Sequence, residues 1–249
     1  MDIMTELRRR HKIVCGHYGA DRVLVTFLYG SQNYKLDTEK SDIDTQSIII
    51  PSISELLSMQ QPINFYNNLE DKSLMGHRDL RILLHDLARA ESTMMQLLYT
   101  EYRVVNPIYY AIFSELILRR EKIAECNKAQ ILYAQIGEAK SFTTRMGEKV
   151  RVKDYVNLLR IADFMQQFFV EGKRYGESIV PRNYEVLRKI KESCNDPHKL
   201  DNMVQSAQDS IEIIKKTYEH TLKNEKEELG FIREIGNKIF EKYLRNELK

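Results

Sequence analysis

Two aspartates separated by one residue, Asp42 and Asp44, form the pattern in this chain best suited to chemistry. On a β-strand, alternate side chains point to the same side, so the two carboxylates would project together. Like charges that close repel each other unless a cation lies between them. Hard oxygen ligands suit Mg²⁺ or Mn²⁺, which take further ligands from water and from substrate phosphates. We therefore predict a metal site here, of the kind that activates an attacking hydroxyl for displacement at phosphorus.

A second pattern, Gly30 followed by Ser31, stands directly after an apolar run and predicts a phosphate-binding turn. Glycine lets the backbone turn tightly and approach a ligand closely. The serine hydroxyl and the amides that follow can hold phosphate oxygens. Lys35 and Lys40 lie between the two patterns and are candidates to neutralise a triphosphate. Together the patterns predict a nucleotide site in which the triphosphate and the metal lie side by side.

Two predicted strands position these residues. Residues 22–29 are rich in β-branched and aromatic side chains and end at Gly30, and residues 42–50 form a similar run that stops at Pro51. The polar segment 31–41 between them predicts a turn-like connector that has room for one helical turn. The spacing therefore places the phosphate-binding turn at the end of one strand and both carboxylates on its neighbour.

The rest of the chain changes in texture near residue 107. Before it, residues 53–59 predict a short helix, 72–78 a third strand and 79–90 a helix with a leucine stripe. After it, apolar residues recur at three- and four-residue spacing, which is typical of helices. We predict an α+β protein with a small mixed-sheet head, residues 1–106, followed by a mainly α-helical C-terminal domain, residues 107–249.

These motifs resemble a known signature. Gly30-Ser31 followed by Ser41-Asp42-Ile43-Asp44 is similar to that of the DNA polymerase beta-like nucleotidyltransferase superfamily, which has Gly-Ser, a short helical stretch and then Asp-x-Asp on a strand. The whole segment, GSQNYKLDTEKSDIDT, is most similar to the RNA-repair-associated branch. That branch has Tyr-Gly-Leu where this chain has Tyr34-Lys35-Leu36, so Lys35 replaces the usual glycine.

Two later segments extend the resemblance. His77-Arg78-Asp79-Leu80-Arg81 is similar to a His-Asp-Leu-Arg-Lys-like stretch that opens the next helix of the family, and Met95-Gln96-Leu97-Leu98-Tyr99 resembles its Leu-Glu-Leu-Leu-Phe segment, with Gln96 in place of the glutamate. The resemblance implies transfer of a nucleoside monophosphate from an NTP to an acceptor hydroxyl, with pyrophosphate release. For this branch the implied acceptor is an RNA 3′ end.

The superfamily usually supplies a third carboxylate from an adjacent strand. Asp79 is our first choice, because it ends a predicted strand inside the resembling segment. Glu70 and Asp71 are alternatives. The competing interpretation of Asp79 is an N-cap for the helix that follows it.

Two basic clusters are candidates for phosphate contacts. Residues 8–12, RRRHK, predict a solvated helix face, with a nucleic-acid contact as the alternative. The second cluster could grip a triphosphate or an RNA end; it consists of Lys140, Arg145, Lys149, Arg151 and Lys153.

Composition bounds the remaining possibilities. The net charge of +2 favours no class of partner, and the three cysteines have no metal-ligand spacing. No signal-peptide pattern and no apolar run of about 18 residues is present, so we expect a cytoplasmic protein that does not cross a membrane. The oligomeric state stays open. Three other functions compete: transfer to a protein or small molecule, a nucleotide-binding module without turnover, and a helical adaptor.

Overall fold

A computed structural model describes residues 2–223 and 226–247 of the chain, without the side chains of residues 226 and 227. Over these residues the protein is α+β and contains a five-stranded mixed sheet in the order β3-β4-β2-β1-β5. The strands are β1 (Val23–Leu28), β2 (Thr45–Ile49), β3 (Asn64–Asn68), β4 (Leu74–Asp79) and β5 (Arg103–Val105). None of the helices in the described ranges combines the length and the apolar character needed to cross a membrane.

The chain forms two compact units that alternate along the sequence. The sheet unit contains residues 2–30, 42–123 and 226–247 of the described chain, and the helical unit contains residues 31–41 and 124–223. This division differs from the predicted boundary near residue 107. Helices well beyond that point pack on the sheet unit, and the short connector between the two motifs packs with the helical unit.

Three predicted strands are present with changed bounds: β1 and β2 are shorter, and the strand predicted over 72–78 runs from Leu74 to Asp79. β1 pairs antiparallel with β2, with Leu28 opposite Thr45, and β2 pairs parallel with β4, from Thr45 opposite Met75 to Ile49 opposite Asp79. β3 and β5 form the two ends of the sheet, each antiparallel to its neighbour. β2 begins at Thr45 and not at Asp42, because β1 ends at Leu28 and the chain then turns away, so no strand remains for Asp42 to pair with.

Helices cover both faces of the sheet. On one face lies α1 (Ile3–Tyr18), whose Tyr18 ring is 5.6 Å from the ring of His77. On the other lies α3 (Leu80–Leu87), whose Asp86 accepts a hydrogen bond from Arg78 at 3.2 Å. His77 and Arg78 are consecutive residues of β4, and alternation along a strand sends their side chains to opposite faces.

The helix at the far end of the described chain completes the sheet unit. This helix, α12 (Gly230–Glu247), packs against α3 and against α5 (Tyr110–Leu118). Gly236 of α12 lies so close to Leu84 of α3 that a side chain there would collide with it. The other helices of this unit are α2 (Ile53–Leu57) and α4 (Ser92–Tyr99), and α6 (Arg120–Cys126) contains the division between the units.

The helical unit is built around α8 (Val152–Met165), which continues into a π-helical turn over Gln166–Val170. Leu36 of the connector is buried against Val156 of α8 and Leu187. The remaining helices of the unit are α7 (Lys128–Glu148), α9 (Tyr175–Ser178), α10 (Tyr184–Ser193) and α11 (Asp201–Tyr218). The connector between the two motifs is therefore part of a packed apolar cluster.

Candidate active site

Asp44 is held at the start of the central strand β2 by the strands on both sides. Its Oδ1 accepts a hydrogen bond from the backbone N–H of Leu74 at 2.8 Å, at the start of β4. Its carbonyl oxygen accepts another from the N–H of Tyr29 at 3.1 Å, just beyond β1. The backbone ladder and a side-chain bond thus fix both the position of Asp44 and the orientation of its carboxylate.

Asp42 lies two residues earlier, in a segment without regular structure, and its side chain is exposed. The sheet still pairs Asp44 but not Asp42. The alternation of side chains along a strand, which predicted a shared direction for the two carboxylates, therefore does not apply to Asp42. The two aspartates remain neighbours in sequence at the same end of β2.

Gly30 makes the turn that the sequence predicts, but its amide already has a partner. Its φ of 110° lies in the region that only glycine adopts without strain. Its N–H donates to Oε1 of Gln96 on α4 at 2.9 Å. The Gly30 N–H is therefore directed at a protein side chain. The sequence did not predict that Gln96 would bond to this turn. The one signal in the sequence was the position of Gln96 in the MQLLY segment, where it replaces the glutamate of the similar segment.

Ser31 begins a short 3₁₀ helix, Ser31–Tyr34, which supplies the helical turn for which the connector had room. Its carbonyl oxygen accepts a hydrogen bond from the N–H of Leu36 at 3.0 Å. Ser31 belongs to the helical unit by its contacts, although it follows Gly30 directly in the chain.

The two lysines of the connector differ in their surroundings. Lys35 has a φ of 57°, and its ammonium lies 5.2 Å from the centre of the Tyr184 ring on α10. Lys40 is exposed. Lys191 of α10, which the sequence did not single out, donates to the carbonyl oxygen of Leu36 at 2.7 Å and to the Ser41 hydroxyl at 3.4 Å. It fastens the connector to the helical unit.

The structure does not bring Asp79 to the aspartate pair. Asp79 ends β4 opposite Ile49, whereas Met75 lies opposite Thr45, next to Asp44. Four residues of strand separate these positions, or about 13 Å. Asp79 is fully buried, caps α3 by accepting from the N–H of Arg81 at 2.8 Å, and pairs with the Arg81 guanidinium at 2.7 Å. The N-cap interpretation describes this residue, and we do not retain Asp79 as a third carboxylate.

Of the two alternatives, Asp71 lies shortly before the start of β4. This is the same end of the sheet as the start of β2, where Asp44 lies. Asp71 accepts from the N–H of Ser73 at 3.0 Å, and Asp44 accepts from the next amide along, that of Leu74. Asp71 also lies 3.7 Å from the guanidinium of Arg10. Glu70 is exposed. Across the described residues, no group of three or more His, Cys, Asp or Glu side chains is arranged to hold a metal.

Arg10 places a buried positive charge beside this end of the sheet. It is fully buried on α1, where its guanidinium contacts the Glu6 carboxylate at 2.6 Å. It also donates to the Ser73 hydroxyl at 2.8 Å and to the carbonyl oxygen of Leu74 at 3.2 Å. Arg10 therefore does not belong to the solvated helix face predicted for residues 8–12; it supports the start of β4, whose Leu74 amide holds Asp44.

Two tyrosines form an aromatic wall near Asp44. The rings of Tyr29 and Tyr66 have centres 6.5 Å apart. The Tyr66 ring covers Gly76, where an added Cβ would come within 2.8 Å of it. Burial, and after it the negative charge of Asp44, raises the pKa of Tyr29. The Tyr29 hydroxyl therefore stays protonated and can act as a hydrogen-bond donor.

Gln46 is a buried amide on the face of β2 that Tyr66 and Gly76 share. It lies between Phe27 of β1 and Gly76 of β4, and its side chain is fully buried. Neither its Nε2 nor its Oε1 has a hydrogen-bond partner among the described residues. Nothing in the sequence marked this glutamine.

The second basic cluster is partly neutralised. Asp154, which is almost fully buried, accepts from Nε of Arg145 at 3.2 Å and from Nε of Arg151 at 2.7 Å. The other three members are exposed: Lys140, Lys149 and Lys153. Two of the five cations predicted to grip phosphate thus hold the start of α8.

The donors at the start of β2 fit one hard divalent cation better than a closed metal cage. Two carboxylates are available there, and an Asp44 oxygen accepts a hydrogen bond from Leu74. Mg²⁺ is commonly bound by one or two carboxylates together with water and substrate phosphates.

No protein-family model matches this chain, and no curated protein is significantly similar to it.

Proposed function

We propose that this protein is a metal-dependent nucleotidyltransferase, with the sheet unit as its nucleotidyltransferase head. It transfers a nucleoside monophosphate from an NTP to an acceptor hydroxyl, for which we propose an RNA 3′ end, and releases pyrophosphate. The observation that carries this proposal is the placement of Asp44. It stands at the start of the central strand, beside the end of β1, where the chain makes its glycine turn.

Asp42 and Asp44 would hold Mg²⁺ or Mn²⁺ in this scheme. The ion would lower the pKa of the acceptor hydroxyl and neutralise the charge that develops on the transferred phosphoryl group. Asp44 would keep its position through the bond to the Leu74 amide. Gly30 and Ser31 are the residues we propose for phosphate binding, and Lys35 and Lys40, which follow them in sequence, are the proposed cations.

Transfer of label tests the proposal. The protein is incubated with each α-labelled NTP, with Mg²⁺ or Mn²⁺, and with one RNA that ends in either a 3′-hydroxyl or a 3′-phosphate. We expect label only on the 3′-hydroxyl RNA, because the 3′-phosphate blocks the acceptor. Asp44→Asn and Asp42→Asn should lower the rate by about 100-fold or more, since a bound ion contributes several kcal/mol to stabilising the transition state.

Glu39→Gln is the matched control, because it removes one exposed carboxylate from the connector just before the pair. It should leave transfer unchanged. If label moves to added cellular protein instead of RNA, the acceptor we propose is wrong, although the reaction class holds.

A nucleotide-binding module without turnover is the competing function. It is favoured by two observations: Asp79 lies away from the pair, and the Gly30 amide already bonds to Gln96. Metal-dependent NTP binding that is abolished in Asp44→Asn, with no transfer to any acceptor, would replace our proposal with this one. Absence of both binding and transfer would remove both functions.

A further inference from the structure

The strand β3 is an open edge of the sheet. It pairs with β4 and stands last in the strand order, and all five of its residues are exposed. An edge strand presents unpaired N–H and C=O groups along its outer side, and these groups can pair with another strand.

The hydrogen bonds that flank β3 show which of its groups point outward. The Ile63 carbonyl accepts from the N–H of Asp79 at 2.8 Å, and the N–H of Leu69 donates to the carbonyl of Ser73 at 2.9 Å. Residues of an antiparallel strand alternate between bonding to their neighbour and pointing away from it. The odd-numbered residues from 63 to 69 therefore bond toward β4. The backbone groups of Asn64, Tyr66 and Asn68 point away from the sheet.

β3 lacks the features that usually protect an edge. Natural edge strands carry lysine, proline or a bulge that prevents pairing. The sequence of β3, NFYNN, has no charge and no proline, and its register with β4 is continuous. Phe65 and Tyr66 are 44% and 41% exposed, and Leu57 and Met59, shortly before the strand, are 78% and 88% exposed.

The opposite edge of the sheet is different. β5 has only three residues, all partly buried, and it begins with Arg103. The Arg103 guanidinium donates to the carbonyl oxygen of Thr100 at 2.8 Å, which places a charge at this edge. The two ends of the same sheet thus differ in length, exposure and charge, and only β3 is suited to pairing.

We propose that β3 pairs antiparallel with β3 of a second copy of this chain, about a two-fold axis at Tyr66. The outward groups are spaced symmetrically about that residue. Asn64 then lies opposite Asn68 of the other copy, and Tyr66 lies opposite its counterpart. Because β3 carries no charge, it does not repel a second β3 strand. The symmetric spacing of its outward backbone groups makes the strand complementary to itself, as a two-fold interface requires.

The dimer is weak, because one strand pair buries a small area. Interfaces at the low end of the size range belong to transient complexes, so we expect a dissociation constant on the order of 10 µM. Leu57 and Met59, which precede β3 in the chain, are further exposed apolar side chains.

Paired charge substitutions test the axis and the register. In the N64K/N68K variant, each new lysine at position 64 faces a lysine at position 68 of the other copy. In the N64K/N68E variant, the same positions carry opposite charges. Sedimentation of the full-length protein from about 1 to 100 µM should show dimers for the wild type. The first variant should dimerise at least about tenfold more weakly, and the second at least as well as the wild type, since directly opposed charges on paired strands repel or attract.

Each result decides the proposal. It is overturned if the wild-type protein stays monomeric throughout, or if both double variants behave alike, which would place any dimer contact elsewhere. Both variants carry the same new lysine opposite Arg78 of β4 and differ only at the exposed position 68, so their thermal unfolding at low concentration should match each other. Nucleotide transfer does not depend on β3 pairing, and its outcome does not affect this test.

Discussion

Asp44 and Gln46 lie two residues apart at the centre of the sheet, but their side chains differ in hydrogen bonding. Asp44 accepts a hydrogen bond from Leu74, whereas both polar atoms of the buried Gln46 side chain are without a hydrogen-bond partner in the described chain. Burying an unsatisfied amide costs about 1–3 kcal/mol.

Gln46→Met should therefore make the protein more stable. Methionine keeps the unbranched shape and removes the unsatisfied amide, so we expect the free energy of unfolding to rise by about 1 kcal/mol. Denaturant titration measures the change, with Gln61→Met at an exposed position as the control that should change nothing. A loss of stability in Gln46→Met would show that the amide has a bound partner, such as a buried water.

At this scale, spacing predicts a residue when its neighbours in sequence are also its neighbours in space. Gly30 and Asp44 lie where the two predicted strands place them, because β1 and β2 are adjacent and antiparallel. The role of Asp79 depended on its register against β2, and the partner of Gly30, Gln96, comes from 66 residues further along the chain. Neither relation can be read from a local pattern.

The connector, residues 31–41, shows how an element limits the residues it can accept. Lys35 is not a glycine, yet its backbone is left-handed, with a φ of 57°. A left-handed backbone costs a residue with a Cβ about 1–2 kcal/mol. The contact of Lys35 with the Tyr184 ring offsets part of that cost.

Two substitutions at this position separate the strain from the ring contact. Lys35→Ala removes the ammonium and keeps the strain, whereas Lys35→Gly removes both. We expect the free energy of unfolding of the glycine variant to be about 1 kcal/mol higher than that of the alanine variant. Thermal or chemical denaturation measures this difference. Equal stabilities would show that the positive φ carries no strain here.

Element prediction succeeded where composition was distinctive. β1 and β2 were predicted from apolar and β-branched runs, and a third strand was predicted over residues 72–78, where β4 lies; β3 and β5 were not predicted. β3 has three asparagines, which strands disfavour, and it is exposed throughout, so it shows no alternation of apolar and polar residues. β5 has only three residues, too few for any period to be visible.

At the scale of the molecule, the units alternate along the chain instead of following one another. α12 belongs to the sheet unit although the helical unit precedes it in sequence. Its apolar face includes Ile232, Ile235 and Ile239, which are almost completely buried. An amphipathic helix predicts that some surface covers it, but its sequence does not say which one, and this is why the boundary near residue 107 differs from the observed division.

Ile239→Ala should destabilise the sheet unit. Ile239 is fully buried, so truncating it should lower the free energy of unfolding by about 2–5 kcal/mol. Leu244 on the same helix is 37% exposed, and Leu244→Ala should cost much less. Unfolding followed by hydrogen exchange at β1 and β2 would report on the sheet directly. If Ile239→Ala leaves exchange in these strands unchanged, α12 does not contribute to their stability.

The return of α12 to the sheet has a consequence for synthesis. A ribosome makes β1 and β2 early, then residues 124–223 of the helical unit, and only afterwards the helix that packs against Leu84 of α3. The helical unit can therefore finish folding while the sheet unit still lacks α12. During that interval the nascent chain exposes apolar surface, the condition under which chains aggregate or bind chaperones.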